Sequence, residues 1–328
     1  MALRWGIMST GKISNDFANA LNYLPKDEHI IIGVAASQKE TAEEFARKHE
    51  IPQAYNNYEE LAKDTAIDVV YIGSNNDRHY ELCKLVLLNQ KHLLCEKPLG
   101  LNYKESQELV LLAKQKKLFL MEALWSRFFP VYNELVELLA SKTIGDLVYL
   151  SADFGVPVSV DRMKNKQLGE GTIYELGGYV LQLAILVFGR NPKSISAFAN
   201  FNENGVDESI NYIIKYPDGK TACFCTHSKI RMINSAVIYG TKGSIKLKDP
   251  FWAPTDISIN NERESRHPLP LIEKEKFYTN SEGLVYEAVE VRNCIKRGYL
   301  ESAKMTHNDT LTIARWQEDI SGIIKSQI

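Results

Sequence analysis

Leu3-Arg4-Trp5-Gly6-Ile7-Met8 leads straight into Ser9-Thr10-Gly11-Lys12-Ile13-Ser14, and the reading of this stretch decides the fold. The apolar run predicts a strand. The small polar residues predict a tight turn, and Ile13, Phe17, Ala20, Leu21 and Leu24 recur at helical spacing through Lys12 to Leu24. A strand that turns directly into a helix is the context a dinucleotide-binding turn requires. On the G-x-G-x-x-G pattern the glycine positions fall on Ser9, Gly11 and Ser14, so only the middle one is glycine. That is where backbone must come closest to a pyrophosphate. Ser14 is small enough to let the helix pack closely on the sheet. Ser9, Thr10, Gly11, Lys12 and Ile13 are the expected cofactor-binding turn, with the helix amides and dipole facing the phosphates. By itself a plain strand-turn-helix reads the same way, so the neighbouring sequence has to decide.

Outward from the turn, apolar runs at Ile30 to Ala36, Ile67 to Gly73, His92 to Cys95 and Leu118 to Met121 alternate with helix-like stretches. The latter lie at Glu40 to His49, Tyr58 to Lys63, Asp77 to Asn89 and Tyr103 to Lys116. Continuous apolar strands separated by helices predict a doubly wound parallel sheet, an α/β Rossmann domain over residues 1–123. The pattern changes after Ala123. A helix at Pro130 to Ala140, a strand at Leu147 to Phe154 and a helix from Gly171 to Phe188 precede six β-rich runs between Ser194 and Ile259. Turn signals such as Pro217-Asp218-Gly219 and Gly240-Thr241-Lys242-Gly243 separate some of them. Two helices close the chain, near Gly283 to Lys296 and Asn308 to Lys325. Residues 124–328 therefore read as an α+β domain with a large, open, mostly antiparallel sheet. A sheet with helices on one face needs cover on the other, which predicts a homodimer through that sheet.

Bulk properties exclude several function classes. The 328 residues carry 39 basic and 41 acidic side chains, net −2, against a partner made of nucleic acid. No apolar stretch is long enough to span a membrane, and the first residues lack a signal-peptide core, so a cytoplasmic protein is expected. Five scattered cysteines without a C-x-x-C pair suggest reduced thiols. The histidines form no ligand pattern, so no metal is expected.

The second strand ends Ala35-Ala36-Ser37-Gln38-Lys39, without the carboxylate that NAD-preferring sites use on the ribose. Ser37 and Lys39 suit a 2′-phosphate, which favours NADP (NADPH) over NAD; helix-cap and surface roles are the alternative. Cys95-Glu96-Lys97-Pro98 closes a strand at the carboxyl edge of the sheet, where open α/β sheets bind ligands. A lysine there reaches the nicotinamide ribose and the reacting oxygen, and a cis Lys-Pro bond would re-aim it.

With the turn at Gly6 to Ile13, this Glu-Lys-Pro segment resembles the glucose–fructose oxidoreductase/inositol dehydrogenase (Gfo/Idh/MocA) family over essentially the whole chain. Leu120-Met121-Glu122-Ala123-Leu124-Trp125-Ser126-Arg127-Phe128-Phe129-Pro130, Glu175-Leu176-Gly177-Gly178-Tyr179 and Tyr239-Gly240-Thr241-Lys242-Gly243 narrow the resemblance to an NADP-dependent branch. That branch oxidises trans-dihydrodiols and D-xylose. The resemblance implies Tyr179 as general acid/base, with Lys97 as its electrostatic partner and ribose ligand. Glu175, where the family usually has Asp, would orient the substrate hydroxyl or the lysine, or cap its helix. It further implies cofactor contacts from Asn75, His79 and Glu96, with an ordinary helix-terminal histidine as the alternative for His79. Trp125, Phe154, Trp252 and Tyr278 are candidates for a substrate pocket, with core packing as the alternative for each. Arg127 reads as an ion-pair partner before a substrate ligand. The expected partner is a small polyol, sugar or dihydrodiol. Another sugar or inositol dehydrogenase, or a non-catalytic dinucleotide sensor, is the competing reading.

Overall fold

The computed structural model describes residues 1–159 and 163–327. The chain divides into two compact units, Met1–Phe128 with Leu269–Thr310, and Phe129–Pro268 with Leu311–Ile328.

The first unit is wound around a six-stranded parallel sheet of order β3-β2-β1-β4-β5-β6. Its strands are β1 (Leu3–Met8), β2 (His29–Ala35), β3 (Gln53–Tyr55), β4 (Val69–Ile72), β5 (His92–Glu96) and β6 (Leu120–Ala123). Between them run α1 (Lys12–Tyr23), α2 (Lys39–His49), α3 (Tyr58–Lys63), α4 (His79–Leu88) and α5 (Tyr103–Lys116). Every residue of β4 and β6 is buried, as expected of strands covered on both faces. β3 escaped the sequence reading because three residues show no periodicity. The strand order reverses between β1 and β4, and the crevice at such a switch point is where open sheets take their ligands.

Residues 269–310, grouped by sequence with the second domain, belong to the first unit. Helix α8 (Leu284–Lys296) packs on α1. Ahead of it, Asn15 and Asn19 donate to the Glu275 carbonyl at 3.1 and 2.9 Å, and Asp16 accepts the amides of Phe277 and Tyr278 at 3.0 Å. Periodicity revealed the apolar stripe of α8 but carries no information on what the stripe lies against.

The second unit holds α6 (Pro130–Ala140), α7 (Gly178–Phe188) and an eight-stranded sheet of order β14-β13-β12-β11-β7-β10-β9-β8. Its strands are β7 (Leu147–Gly155), β8 (Ser194–Phe201), β9 (Asp207–Lys215), β10 (Thr221–His227), β11 (Ala236–Gly240), β12 (Gly243–Leu247), β13 (Asp256–Ile259) and β14 (Arg263–Arg266). Among the described residues of this sheet only β7 and β10 pair in parallel. Strict alternation buries Leu150, Ala152, Ile210, Tyr212, Ala222 and Phe224 on one face, where α7 packs on β7. The other face keeps Tyr149, Phe198, Ile213 and Tyr239 exposed. The polar edge strand β14 gave no apolar signal. The last helix, α9 (His307–Lys325), begins in the first unit and continues in the second.

Candidate active site

The turn after β1 is built as a dinucleotide site demands. Ser9 takes a left-handed conformation (φ 85°) and its amide donates to the Ala35 carbonyl at 2.9 Å. Gly11 caps α1 with extended backbone and no side-chain cap hydrogen bond, and no acidic residue stands in the first turn. The free amides of that turn are thus left for an anion. A Cβ on Gly11 would meet only ordinary contacts at 3.7 Å, so the protein's own packing does not require glycine there. What a side chain would fill is the approach to the turn, and the residues present fit a dinucleotide. At Gly73, after β4, a Cβ would stand 2.4 Å from Ser14 Oγ; the small pair lets α1 sit against the sheet. Thr10 and Ile13 are half-buried and Lys12 is exposed, its ammonium 5.7 Å from the Phe277 ring centre.

At the end of β2, Ser37 and Lys39 are both exposed. Gln38, not Ser37, occupies the cap position of α2, and Lys39 lies 3.7 Å from Glu43, one turn on. No carboxylate stands at the strand end itself. Asn75, also exposed, begins the short helical turn Asn76–Arg78 after β4.

The carboxyl ends of β5 and β6 carry the densest chemistry. The Lys97-Pro98 peptide is cis, and Lys97 is half-buried. Side chains alternate along β5, so Glu96 points to one face of the sheet and Cys95 to the other. On the first face the Tyr71 hydroxyl donates to Glu96 at 2.8 Å, and the Tyr71 ring stacks on Phe17 with centroids 3.8 Å apart. Glu287 of α8 is wholly buried with neither carboxyl oxygen hydrogen-bonded; burial, then the Glu96 charge, drive its carboxyl well above the usual carboxylate range. On the other face Glu122, paired across from Cys95, accepts the Leu99 amide at 3.1 Å. His79 is not solvent-facing but wholly buried. It sits 2.7 Å from the Pro98 carbonyl and 3.1 Å from that of Ser74, bracing the loops that follow β5 and β4.

In the second unit, Tyr179 belongs to an aromatic cluster. Phe154 stacks on Trp252 with centroids 3.9 Å apart and an interplanar angle of 15°, and Tyr179 stands edge-on to Phe154 at 5.5 Å. All three are buried, and Phe251 meets both Phe154 and Trp252 at 5.7 Å. Tyr179 lies in the first turn of α7, just after a π-helical turn, Ile173–Gly177, that includes Glu175. Such turns frequently mark functional positions. Asp207 fixes its start by accepting the Ile173 amide at 2.9 Å and the Thr172 hydroxyl at 3.1 Å. Gly171 (φ 116°) has no room for a Cβ, which would fall 2.6 Å from Asp207 Oδ1. A chain from Gln182 through the Tyr132 hydroxyl to the Phe251 carbonyl (3.0 and 3.1 Å) ties α7 to the loop that carries Trp252.

Of the four aromatic candidates, Phe154 and Trp252 are thus brought together with Tyr179, whereas Trp125 and Tyr278 belong to the first unit. Trp125 is buried in a short helical turn; Tyr278 is exposed, its amide held by Asp16. Arg127 forms a buried pair with Asp309 at 3.8 Å and donates to the Lys304 carbonyl at 3.2 Å. Sequence reasoning missed Tyr71, Glu122 and Glu287. Glu122 alone left a signal, a carboxylate inside an apolar strand. A cavity of about 420 Å³ lined by Leu3, Asp68, His92 and Arg292 opens at the amino ends of β1, β4 and β5, the edge away from the turn. Among the described residues no cluster of three or more His, Cys, Asp or Glu is placed to hold a metal, and no helix is long and apolar enough to cross a membrane.

The comparisons with known proteins agree with this architecture. Residues 3–124 match the oxidoreductase family with an NAD-binding Rossmann fold, and residues 132–246 match the GFO/IDH/MocA C-terminal domain. Trans-1,2-dihydrobenzene-1,2-diol dehydrogenase of Xenopus tropicalis is 42% identical over 96% of this chain and 96% of its own length. The Homo sapiens protein of that name is 40% identical over 98% and 96%. Among solved structures, levoglucosan dehydrogenase in complex with NADH and levoglucosan superposes with a TM-score of 0.86 at 18% identity, covering 100% of this chain and 98% of that one. An aldose-aldose oxidoreductase from Caulobacter crescentus gives 0.83 at 19% identity, over 100% and 99%. These two share the fold. With both halves matched and full-length relatives at this identity, the chain belongs to the Gfo/Idh/MocA oxidoreductase family.

Proposed function

We propose that this protein is an NADP-dependent dehydrogenase for a cyclic vicinal diol or an aldose, a trans-dihydrodiol or D-xylose, with Tyr179 as general acid/base and Lys97 as its electrostatic partner. The observation that carries the reading is Tyr179 standing edge-on to a wall of stacked Phe154 and Trp252. Such a wall packs against an aromatic diol or the apolar face of a sugar and leaves the phenol to meet the hydroxyl. The dihydrodiol dehydrogenases at 40–42% identity support the diol as substrate.

The bound dinucleotide supplies the hydride acceptor. The chain's part is the proton. A free phenol, with a pKa near 10, is a sluggish base at neutral pH. An ammonium nearby stabilises the phenolate and brings its proton affinity toward the working range. Tyr179 Oη takes the carbinol proton, Lys97 Nζ holds the phenolate and the ribose, and Glu175 orients the reacting hydroxyl. Ser9 to Ile13, Asn75, His79 and Glu96 are the proposed cofactor contacts, and Trp125 and Tyr278 are the remaining proposed substrate contacts. Exposed Ser37 and Lys39, with no carboxylate at the end of β2, support NADP over NAD; Lys39 would exchange Glu43 for the 2′-phosphate. The exposed apolar face of the eight-stranded sheet supports a homodimer, and five unbonded cysteines support a cytoplasmic setting.

A cofactor-reduction screen over dihydrodiols, pentoses, hexoses and inositols, run with NADP and NAD, tests the proposal. Turnover of a dihydrodiol or D-xylose with NADP is expected. Turnover confined to inositols or to NAD would overturn it, and tight dinucleotide binding without any turnover would favour a sensor.

A further inference from the structure

The Lys97-Pro98-Leu99 turn is gripped from both sides. His79 takes the Pro98 carbonyl, and Glu122 Oε1 takes the Leu99 amide. The first grip is braced again at Ser74, whereas the second ends in an acid whose other oxygen, Oε2, is buried without a hydrogen-bond partner. Glu122 is 3% exposed. A glutamine would grip the amide equally well and would bury no ionisable group. A carboxyl at this place, with one oxygen unsatisfied, costs stability that the fold alone does not require.

We propose that Glu122 is a positioning residue for Lys97: its carboxyl holds the turn that carries the lysine and, by gaining or losing its proton, changes the net charge around that lysine. The proposal rests on the reading of Lys97 as the partner of Tyr179. Register supports the placement, because Glu122 pairs across from Cys95, two residues before Lys97 on the same strand face, while Glu96 and Tyr71 lie on the opposite face. The groups that act on Glu122 are Lys97 and Glu96 from the end of β5, the Leu99 amide and the Thr310 hydroxyl of α9; the Cys95 thiol, hydrogen-bonded to the free thiol of Cys83 of α4, lies on the same side. Burial pushes the carboxyl up to about 7, with Thr310, Leu99 and the Lys97 charge opposing the rise and Glu96 adding to it. A carboxyl so placed exchanges its proton near neutral pH.

The consequence for catalysis has a definite sign. With Glu122 protonated, the Lys97 charge is uncompensated and the Tyr179 phenolate is favoured. As pH rises and Glu122 ionises, the new negative charge offsets Lys97, and the phenol holds its proton more tightly. The two ionisations oppose each other, so the rising limb of diol oxidation is drawn out over a wide pH range.

The test is the pH profile of kcat/KM for oxidation in Glu122→Gln, alongside Lys97→Met. Gln keeps the Leu99 contact and removes the titration, so the limb is expected to sharpen and move to lower pH by about half a unit or more. A purely structural role would lower turnover without moving the limb. A Glu122→Gln limb that superposes on the wild type overturns the proposal. If Lys97→Met keeps full turnover, the reading of Lys97 falls and this proposal falls with it. If Lys97→Met is inactive while the Glu122→Gln limb is unmoved, only the role of Glu122 is lost. Should Glu122→Gln fail to fold, the infrared carbonyl band of protonated carboxyls in the wild type decides. One carboxyl is expected to lose its proton between about pH 6 and 8, and a band unchanged over that range overturns the proposal.

Discussion

At the scale of single residues, the donors within reach set how far burial shifts a carboxyl. Glu287, left without a donor, is driven well above the usual carboxylate range by burial and the Glu96 charge, whereas Glu122, with the Thr310 hydroxyl and the Leu99 amide opposing burial, is pushed up to about 7. Tyr179 is the proposed general acid/base. Tyr179→Phe keeps the ring against Phe154 and removes only the hydroxyl. It should lower kcat by about 100-fold or more and leave NADPH affinity within a few fold, as read by steady-state kinetics and fluorescence titration. Turnover close to that of the wild type would dismiss the tyrosine as the base.

At the scale of elements, Tyr179 is aimed by the junction of a π-helical turn with α7, and that junction hangs on Gly171 and Asp207. Gly171→Ala introduces a side chain at φ 116° and 2.6 Å from Asp207 Oδ1. Calorimetry should show a loss of about 2 kcal/mol or more, with a fall in kcat exceeding the fall in cofactor affinity. Helices α1 and α2 are locked differently, by His49 Nε2 at 3.1 Å from Asn15 Oδ1. Burial, with Lys48 and Lys274 adding to it, lowers this histidine from 6.5 to about 4, and burial with Arg292 does the same to His29. The folded state therefore releases protons that the unfolded chain keeps between these values. Stability from both residues is complete above pH 6.5 and is lost as pH falls toward 4. Urea titrations across that window should show a smaller acid loss in His49→Gln than in the wild type. Parallel losses in the two proteins would count against the assignment.

At the scale of the whole molecule, the eight-stranded sheet buries one face and leaves Tyr149, Phe198, Ile213 and Tyr239 on the other. Tyr149 and Tyr239 are paired across neighbouring strands with rings 6.0 Å apart, so the apolar residues gather as a patch. An exposed apolar patch of that kind is the basis of the proposed dimer, in which the same face of two copies would meet. Light scattering at micromolar concentration should give a dimer for the wild type and a monomer for Phe198→Glu, whose site is 63% exposed. A wild-type monomer would remove the proposed dimer.

Patterns that neighbouring residues write were legible in the sequence alone: the alternation of apolar strands with amphipathic helices, the turn at Ser9 to Ile13, the strand-terminal Lys97 and the antiparallel hairpins. Each of these depends on residues a few positions apart, which share a strand face or a helix stripe wherever the element ends up. Family likeness, not periodicity, singled out Tyr179. The tertiary structure alone decided that residues 269–310 return to the first unit, where Asp16 meets Phe277 across 261 positions of chain. It alone buried His79 between two carbonyls and set Glu122 beside the turn that bears Lys97. The reason is physical. Burial and charge are properties of the surroundings, and those surroundings are assembled from segments whose sequences carry no local record of one another.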